Sequence, residues 1–248
     1  FERECSVQRR HQKLIEEIPA TVTPDEKVTI FEALHDLDFI ENNEDVRHYQ
    51  EIDFEKYYNG TSDKMKSLVK SRAIDGKPNK KGATYAEWSR KGRLTERFSA
   101  TKAFYVRSNN ALENGEKDFN ELNNHRTSKQ NEDVVKRLQI ILEEGGYKGA
   151  QKRLVKEGVS SQKRNYNMLK PDEQSSTIMT IPDDYVHYRS PRALTVREMA
   201  RLQSFDDSFV FQGKRSTGGN NRKNEVPQYT LVGNAVPPLF GYHLAKSV

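Results

Sequence analysis

The chain has 248 residues, of which 31% are charged and only 34% hydrophobic, with a formal net charge of +5. This length allows one large or two small domains, and no apolar run approaches the roughly eighteen residues of a membrane span, so we expect a soluble, cytoplasmic, non-exported protein. The single cysteine, Cys5, excludes an internal disulfide and a cysteine-rich zinc site, and because the six histidines are dispersed we predict no metal.

Charge is unevenly distributed along the chain. Residues 25–55 hold eleven acidic residues against Lys27 and Arg47, whereas residues 61–107 hold thirteen basic residues against four acidic ones. A second basic run covers residues 148–170. These alternating blocks predict one surface that faces a polyanion and another that is kept away from it; an ordinary solvated surface is the alternative for each block.

The first half of the chain offers few regular patterns. A short helix is predicted within residues 21–37, because apolar residues recur there at three-residue spacing. Residues 77–82 contain Pro, Asn and Gly and predict a loop, and residues 98–106 are a strand candidate. The apolar residues of the first helix are Val28, Phe31, Leu34 and Leu37.

The second half has clearer elements. Residues 128–144 are the best helix candidate of the middle region, with apolar residues on one face and Gly145 and Gly146 as its stop signal. Another helical turn is predicted over residues 151–156. Residues 177–181 form a strand candidate that Pro182 would end.

A helix start signal lies in the segment from Arg192 to Phe205. Thr195 and Glu198 have the spacing of a capping box, so we predict a helix from Val196 to about Ser204. On this helix Arg197 and Arg201 lie four residues apart and would repel each other unless an anion or a carboxylate lies between them. They therefore either brace the domain through buried ion pairs or contact DNA, and arginine suits both roles.

The segment from Tyr229 to Pro238 is predicted to be strand, turn and helix. Tyr229-Thr-Leu-Val232 favours a short strand, Gly233-Asn234 a turn, and Pro237-Pro238 the first turn of a helix. Asn234 and free backbone amides would then lie at a helix N-terminus, where ligands often bind. The alternative is that Asn234 only shapes the turn.

The two segments, Arg-x-Leu-Thr-x-Arg-Glu-x-Ala-Arg-Leu-Gln-x-Phe followed by Gly-Asn-Ala-Val-Pro-Pro, resemble the ninth and tenth conserved blocks of bacterial DNA (cytosine-5) methyltransferases. Residues 169–178 and His187 are similar to the segment that leads into the ninth block. The resemblance is strong over residues 165–248 and patchy over residues 21–146, where Asn124-His125 and the helices at 28–37 and 134–146 contribute.

The resemblance implies a fold and a division of the chain. The expected class is α/β (mixed α+β), in which a target-recognition domain is joined to C-terminal helices that complete a Rossmann-like, S-adenosylmethionine-dependent methyltransferase fold. Residues 1–20 would form an edge of the catalytic domain and residues 21–190 the target-recognition region. Residues 191–228 would hold the ninth-block helix and a linker, and residues 229–248 would return to the catalytic domain.

The resemblance also implies site residues. The tenth block lines the S-adenosylmethionine pocket in the family, which assigns cofactor contact to Asn234, Ala235 and Val236. The expected partner is double-stranded DNA, and phosphate contacts are expected from the basic residues of 61–107 and from the basic run at 148–170. The candidate DNA-binding residues are Lys80, Lys81, Arg90, Arg93, Arg197 and Arg201.

Two family features are missing from the sequence. There is no Pro-Cys dipeptide, because Cys5 follows Glu4, and no Gly-x-Gly among the fourteen glycines. Gln8-Arg9-Arg10-His11-Gln12 matches only the first half of the eighth block's Gln-x-Arg-x-Arg, which leaves Arg10 as a candidate for supporting the flipped base. We assign no catalytic residue to this chain.

The missing blocks predict a chain that is inactive alone. It would need a catalytic half that carries Phe-x-Gly-x-Gly and Pro-Cys and shares the S-adenosylmethionine. That half could be a second polypeptide or could have been lost in cloning or by gene decay. The alternative is a non-catalytic DNA-binding remnant. Because the first residue is Phe1, we expect a natural start upstream.

Overall fold

The computed structural model describes residues 28–50, 73–74, 77–78, 89, 121–163, 165–217 and 225–246. In chain order, the elements of this part are helix α1 (Ile30–Leu34), a 3-10 turn (His35–Leu37), strands β1 (Ala73–Ile74) and β2 (Lys77–Pro78), helices α2 (Glu132–Glu143) and α3 (Tyr147–Lys156), strand β3 (Asn167–Met168), a 3-10 turn (Pro182–Asp184), strand β4 (Tyr185–Val186), and helices α4 (Val196–Leu202), α5 (Gln228–Asn234) and α6 (Pro238–Lys246).

One core forms where α1, α4 and α5 meet. The buried faces include Leu34 of α1, Met199 of α4 and Val232 of α5, all of them fully inaccessible. The Tyr229 hydroxyl donates to the Leu194 carbonyl at 2.9 Å and fixes α5 against the start of α4. The predicted helix within residues 21–37 is confirmed as α1 and its 3-10 extension, with Phe31, Leu34 and Leu37 buried.

Helices α2 and α3 form a hairpin with a core of its own. Leu138 and Ile141 of α2 pack on Leu154 of α3 and on Val186 of β4. The predicted helix at 128–144 is confirmed, and Gly145, with φ +69°, ends it in the left-handed conformation that glycine adopts readily. The helical turn expected at 151–156 is confirmed within the longer α3.

The described strands are two-residue pairs. β1 pairs antiparallel with β2, and β3 pairs parallel with β4. The loop prediction for residues 77–82 is therefore wrong at Lys77–Pro78, which form β2. The strand candidate at 98–106 lies outside the described residues.

The strand prediction for residues 177–181 is wrong. This stretch runs as irregular chain, because the Tyr185 hydroxyl takes up its polar groups: it donates to the Thr177 carbonyl at 2.5 Å and accepts from the Met179 amide at 2.9 Å. A side chain thus replaces the ladder partner that a strand requires. The described chain mixes helices with short strands, and none of its helices is long and apolar enough to cross a membrane.

Candidate functional site

The predicted capping box at the start of α4 is confirmed. The Glu198 amide donates to the Thr195 hydroxyl at 3.1 Å, and the Thr195 amide donates to the Glu198 carboxylate at 2.8 Å. Unlike an exposed cap, this pair is fully buried. The Arg192 guanidinium neutralises Glu198 through two hydrogen bonds of 2.8 and 2.7 Å. Burial raises the pKa of Glu198, but the charge and hydrogen bonds of Arg192 outweigh burial and hold that pKa well below its usual range.

Arg201 joins α4 to α1. Its Nε donates to Asp207 Oδ1 at 2.9 Å, its Nη2 donates to Asp36 Oδ2 at 3.0 Å, and its Nη1 donates to the Ala33 carbonyl at 3.0 Å. Burial raises the pKa of Asp207, yet the charge of Arg201 prevails and sets it to about 2. The Tyr49 hydroxyl also donates to Asp207. The buried charge of Arg201 is thus neutralised by carboxylates from two segments of the chain, and Tyr49, from a third segment, supports Asp207.

Arg197 clamps the loop that follows α4. Its Nε donates to the Asn123 carbonyl at 2.9 Å, and its two terminal nitrogens donate to the carbonyls of Asp206, at 3.1 Å, and Phe209, at 2.6 Å. Both arginines of α4 are fully buried. The geometry therefore fits the bracing alternative, and a DNA-contacting role for Arg197 and Arg201 does not fit side chains that solvent cannot reach.

Two buried histidines complete this network. His125 Nε2 lies 3.0 Å from the Leu37 carbonyl, which can only accept, so this nitrogen carries the proton and Nδ1 accepts from the Thr195 hydroxyl at 3.0 Å. His187 Nδ1 accepts the amides of Arg189 and Ser190, each at 3.2 Å. Burial lowers the pKa of each histidine to about 4, and the charge of Arg192 contributes at both. Both rings are therefore neutral near pH 7.

The tenth-block segment differs from its predicted form. Tyr229 to Val232 lie in helix α5 and not in a strand, because the buried residues Tyr229 and Val232 recur at the three-residue spacing of a helix. Asn234 is consequently the exposed last residue of α5 and does not lie at a helix N-terminus. The predicted helix start is confirmed at Pro238, where the Leu239 amide of α6 donates to the Ser204 hydroxyl at 3.1 Å.

Gly233 lies where a side chain has no room. A β-carbon at this position would come within 2.7 Å of the carbonyl carbon and oxygen of Met179 and 2.8 Å of the Thr180 amide nitrogen. The α5 helix is therefore seated directly on the irregular chain at 177–181. This close approach fixes the position of Asn234, which follows Gly233.

Large apolar side chains remain exposed on the last two helices, α5 and α6, and on the short segment between them, which together we call the closing helices. Val236 between the helices is 65% exposed and Phe240 on α6 is 56% exposed. We call the set formed by Leu231, Val236, Phe240 and Leu244 the closing face. Exposed apolar residues that lie together on a protein surface often mark interaction sites.

Several predicted site residues lie outside the described residues: Arg10, Lys80, Lys81, Arg90 and Arg93. Within the second basic run, Lys148, Lys152 and Lys156 are exposed on α3. Arg153 is instead engaged by Glu143 at 2.6 Å and by Glu157 at 2.8 Å. No group of three metal-ligating side chains occurs in the part of the chain that the structure describes.

The carboxylates that neutralise the α4 arginines were not identified from the sequence. Asp36 belongs to the acidic block, but 165 residues separate it from Arg201. Asp38, also in that block, is buried and lies 3.2 Å from the Arg189 guanidinium. Part of the acidic block thus serves the interior and does not form a separate acidic surface. The excess of acidic residues was the only signal.

A model of the family described as C-5 cytosine-specific DNA methylase matches residues 20–248. Type II methyltransferase M1.HphI of Haemophilus parahaemolyticus is 40% identical over 90 residues, which cover 36% of this chain and 22% of that protein. M.DdeI of Desulfomicrobium norvegicum is 43% identical over 65 residues, 26% of this chain and 15% of that protein. M.AquIB of Picosynechococcus sp. is 40% identical over 85 residues, 34% of this chain and 61% of that protein. The matches thus span less than two thirds of each of these relatives.

Proposed function

The chain belongs to the C-5 cytosine-specific DNA methylase family, and on that premise we propose that it is the DNA-recognition and closing part of a DNA (cytosine-5) methyltransferase. With a catalytic part, it would transfer a methyl group from S-adenosylmethionine to cytosine in duplex DNA. The observation that carries this proposal is the closing face, an exposed apolar surface that lies on the segment most similar to the family's tenth block.

The chemistry explains why a catalytic part is required. Methylation at carbon 5 needs a thiolate that adds to carbon 6 of the base, and the base must leave the helical stack to be reached. Neither Pro-Cys nor Gly-x-Gly occurs in this sequence. The catalytic part therefore lies in a separate segment, either on another polypeptide or elsewhere in a longer chain.

The closing face is the surface that we assign to the catalytic part. Complete burial of an exposed apolar side chain contributes roughly 1.5–3 kcal/mol, and because these four side chains are already partly buried, covering each would contribute only a part of that. The closing helices would then complete a Rossmann-like fold. Asn234 and Val236 are exposed and Ala235 between them is half-buried against the core, so this stretch could form one wall of an S-adenosylmethionine pocket. The bound cofactor would supply the methyl group.

A short relative supports the idea of separate polypeptides. The 85 residues matched in M.AquIB are 61% of its length, so that methyltransferase polypeptide is itself shorter than the 248-residue chain. A family member of this size leaves little room for both halves of the enzyme. We extend that organisation to this chain as one form of the proposal.

The DNA-facing side is assigned to basic residues other than the buried α4 arginines. Residues 61–107, which include Lys80, Lys81, Arg90 and Arg93, would contact phosphates together with the exposed lysines of α3. Phosphate contacts orient a protein on DNA, whereas base contacts select the sequence. The α4 arginines would support this side indirectly by fixing α1 and the 206–209 loop.

The test is methyl transfer from labelled S-adenosylmethionine to mixed-sequence duplex DNA. The chain alone should be inactive, and a catalytic half of the family should restore activity. Phe240→Asp should abolish the restored activity because it places a charge in the closing face. Val155→Asp is the matched control, since Val155 is 70% exposed on α3, outside the closing face. Robust activity of the isolated chain would contradict the proposal.

The second candidate is a DNA-binding remnant without a catalytic partner. It is less well supported, because a pure DNA reader has no need for the intact Gly233 to Pro238 segment or for an uncovered apolar face. If the chain bound DNA but failed to complement any catalytic half, and Phe240→Asp changed nothing, the remnant would be the better description.

A further inference from the structure

A polar cleft of about 610 Å³ lies beside the start of α5, with Gln228 in its lining. Its walls are the segment from Asp45 to Arg47, the residues around Asn124, and the turn at 213–216. Among the described residues of the lining, Asp45 is the one carboxylate. Against it stand four cationic side chains: Arg47, Arg126, Lys214 and Arg215.

Backbone hydrogen bonds hold the walls of the cleft in place. The Val46 amide donates to the His125 carbonyl at 3.0 Å, and the Leu122 amide donates to the Arg47 carbonyl at 2.7 Å. The Asn124 side chain joins this wall to the chain that leads into the turn at 213–216. It donates to the Phe211 carbonyl and accepts from the Phe211 amide, each at 2.9 Å. The cations therefore project from a fixed frame.

Neutralisation inside the cleft is incomplete. Arg126 lies 3.8 Å from Asp45, and its side chain is 59% exposed. Lys214 pairs with Glu225 at 2.7 Å, also in solvent. Within the described part of the chain, neither Arg47 nor Arg215 forms a salt bridge with a carboxylate, although Arg215 donates to the Ser128 hydroxyl at 2.8 Å. In contrast, the buried Arg201 of α4 is neutralised by Asp36 and Asp207.

We propose that this cleft binds phosphates of the DNA backbone and sets the register of the recognition part on the duplex. The inference rests on the proposed function and adds a phosphate site that the sequence did not indicate. Arginine forks match phosphate oxygens, and three of the four cations are exposed and can reach a polyanion that passes along the surface. The expected ligand is a duplex read without regard to base sequence.

Fluorescence anisotropy of several labelled duplexes that differ in sequence, each measured over a salt series, tests the cleft. Arg47→Gln and Arg126→Gln should each weaken binding to all sequences alike. Each lost phosphate contact should also reduce the slope of log K against log salt by about 0.9. Lys136→Gln is the matched control, because Lys136 is an exposed cation on α2 that lines no part of the cleft.

The outcomes separate the cleft from the function. If the wild-type chain binds DNA with a steep salt dependence but both cleft variants match Lys136→Gln, the phosphate site is wrong and the proposed function stands. If the cleft variants weaken binding to one sequence only, the cleft contacts bases and the phosphate assignment is also wrong. If the wild-type chain binds no duplex at low salt, both proposals fail. Circular dichroism should show all three variants folded, since their side chains are exposed.

Discussion

Helix α4 and the closing helices α5 and α6 differ in which side chains they bury. Helix α4 buries charged side chains, whereas the closing helices leave apolar ones exposed. In α4, Arg197 and Arg201 are fully buried, and each has its donors satisfied by carboxylates or carbonyls of this chain. On the closing helices, Val236 and Phe240 remain more than half exposed. The polar contacts of the α4 arginines are complete within the described residues, whereas the side chains of the closing face are only partly buried.

The difference shows where a partner is needed. A buried arginine that lost its carboxylates would leave an uncompensated charge in the interior, so α4 depends on contacts within the chain. The apolar side chains of the closing face are partly exposed to water in the chain alone, and covering them with another surface would lower the free energy of the complex. Substitutions in α4 should therefore change stability, and substitutions on the closing face should change association.

The largest effect is expected from breaking the α4 network. Arg201→Ala removes the cation that neutralises Asp36 and leaves Asp207 only the more distant Arg197, at 3.7 Å, so it should lower the free energy of unfolding by about 3–5 kcal/mol. Arg153→Ala on α3 is the control, because its ion pairs are exposed to solvent and contribute little. Urea unfolding followed by circular dichroism measures both. Equal, small losses would show that Arg201 is not a structural brace.

Acid should weaken the same network. His125 and His187 have pKa values of about 4 in the folded chain and 6.5 as the ordinary value. Their contribution to stability is therefore complete above pH 6.5 and is lost as the pH falls towards 4, by up to about 1.4 kcal/mol per pH unit for each histidine. Urea unfolding at pH 7.5, 6 and 5 measures this loss. A flat wild-type curve would contradict the buried neutral rings.

Substitution of two glycines tests how closely α5 packs on the chain at 177–181. Gly233→Ala should destabilise the fold by about 1–3 kcal/mol, because the added methyl would overlap the backbone at Met179 and Thr180. Gly241→Ala in α6 has its nearest neighbour at 3.9 Å and should stabilise the helix by about 0.5–1 kcal/mol. Thermal melts compare the two. Opposite signs support the close contact, and two stabilised variants would refute it.

The smallest effect on stability is expected at Asn234. Asn234→Ala alters an exposed residue at the end of α5 and should change the free energy of unfolding by less than about 0.5 kcal/mol. In the reconstituted pair it should lower the affinity for S-adenosylmethionine, which calorimetric titration measures. Gln151→Ala, at an exposed amide on α3, is the control. Unchanged affinity together with a lowered melting temperature would make Asn234 a structural residue.

Local signals were enough to predict the helices whose determinants lie close together in sequence. The capping box of α4 depends on two residues three positions apart, and the end of α2 depends on Gly145. These features were therefore visible in the sequence. The partners of Arg201 were not visible, because Asp36 reaches it only through the packing of α1 on α4.

The two wrong strands have identifiable physical causes. Tyr229 to Val232 contain residue types that favour strands, but Tyr229 and Val232 face one core, and this tertiary contact determines a helix. At residues 177–181, the Tyr185 hydroxyl supplies hydrogen bonds that the pattern attributed to a neighbouring strand. In both places a contact distant in sequence outweighed local preference.

Hydrogen exchange of the chain alone and with a catalytic half tests the central comparison most directly. We expect the amides of α4 to be protected in both samples, whereas the amides of α5 and α6 should exchange faster in the chain alone and gain protection in the mixture. Phe240→Asp should remove that gain without changing α4. Equal protection of α6 with and without the catalytic half would contradict the assignment of the closing face to that partner.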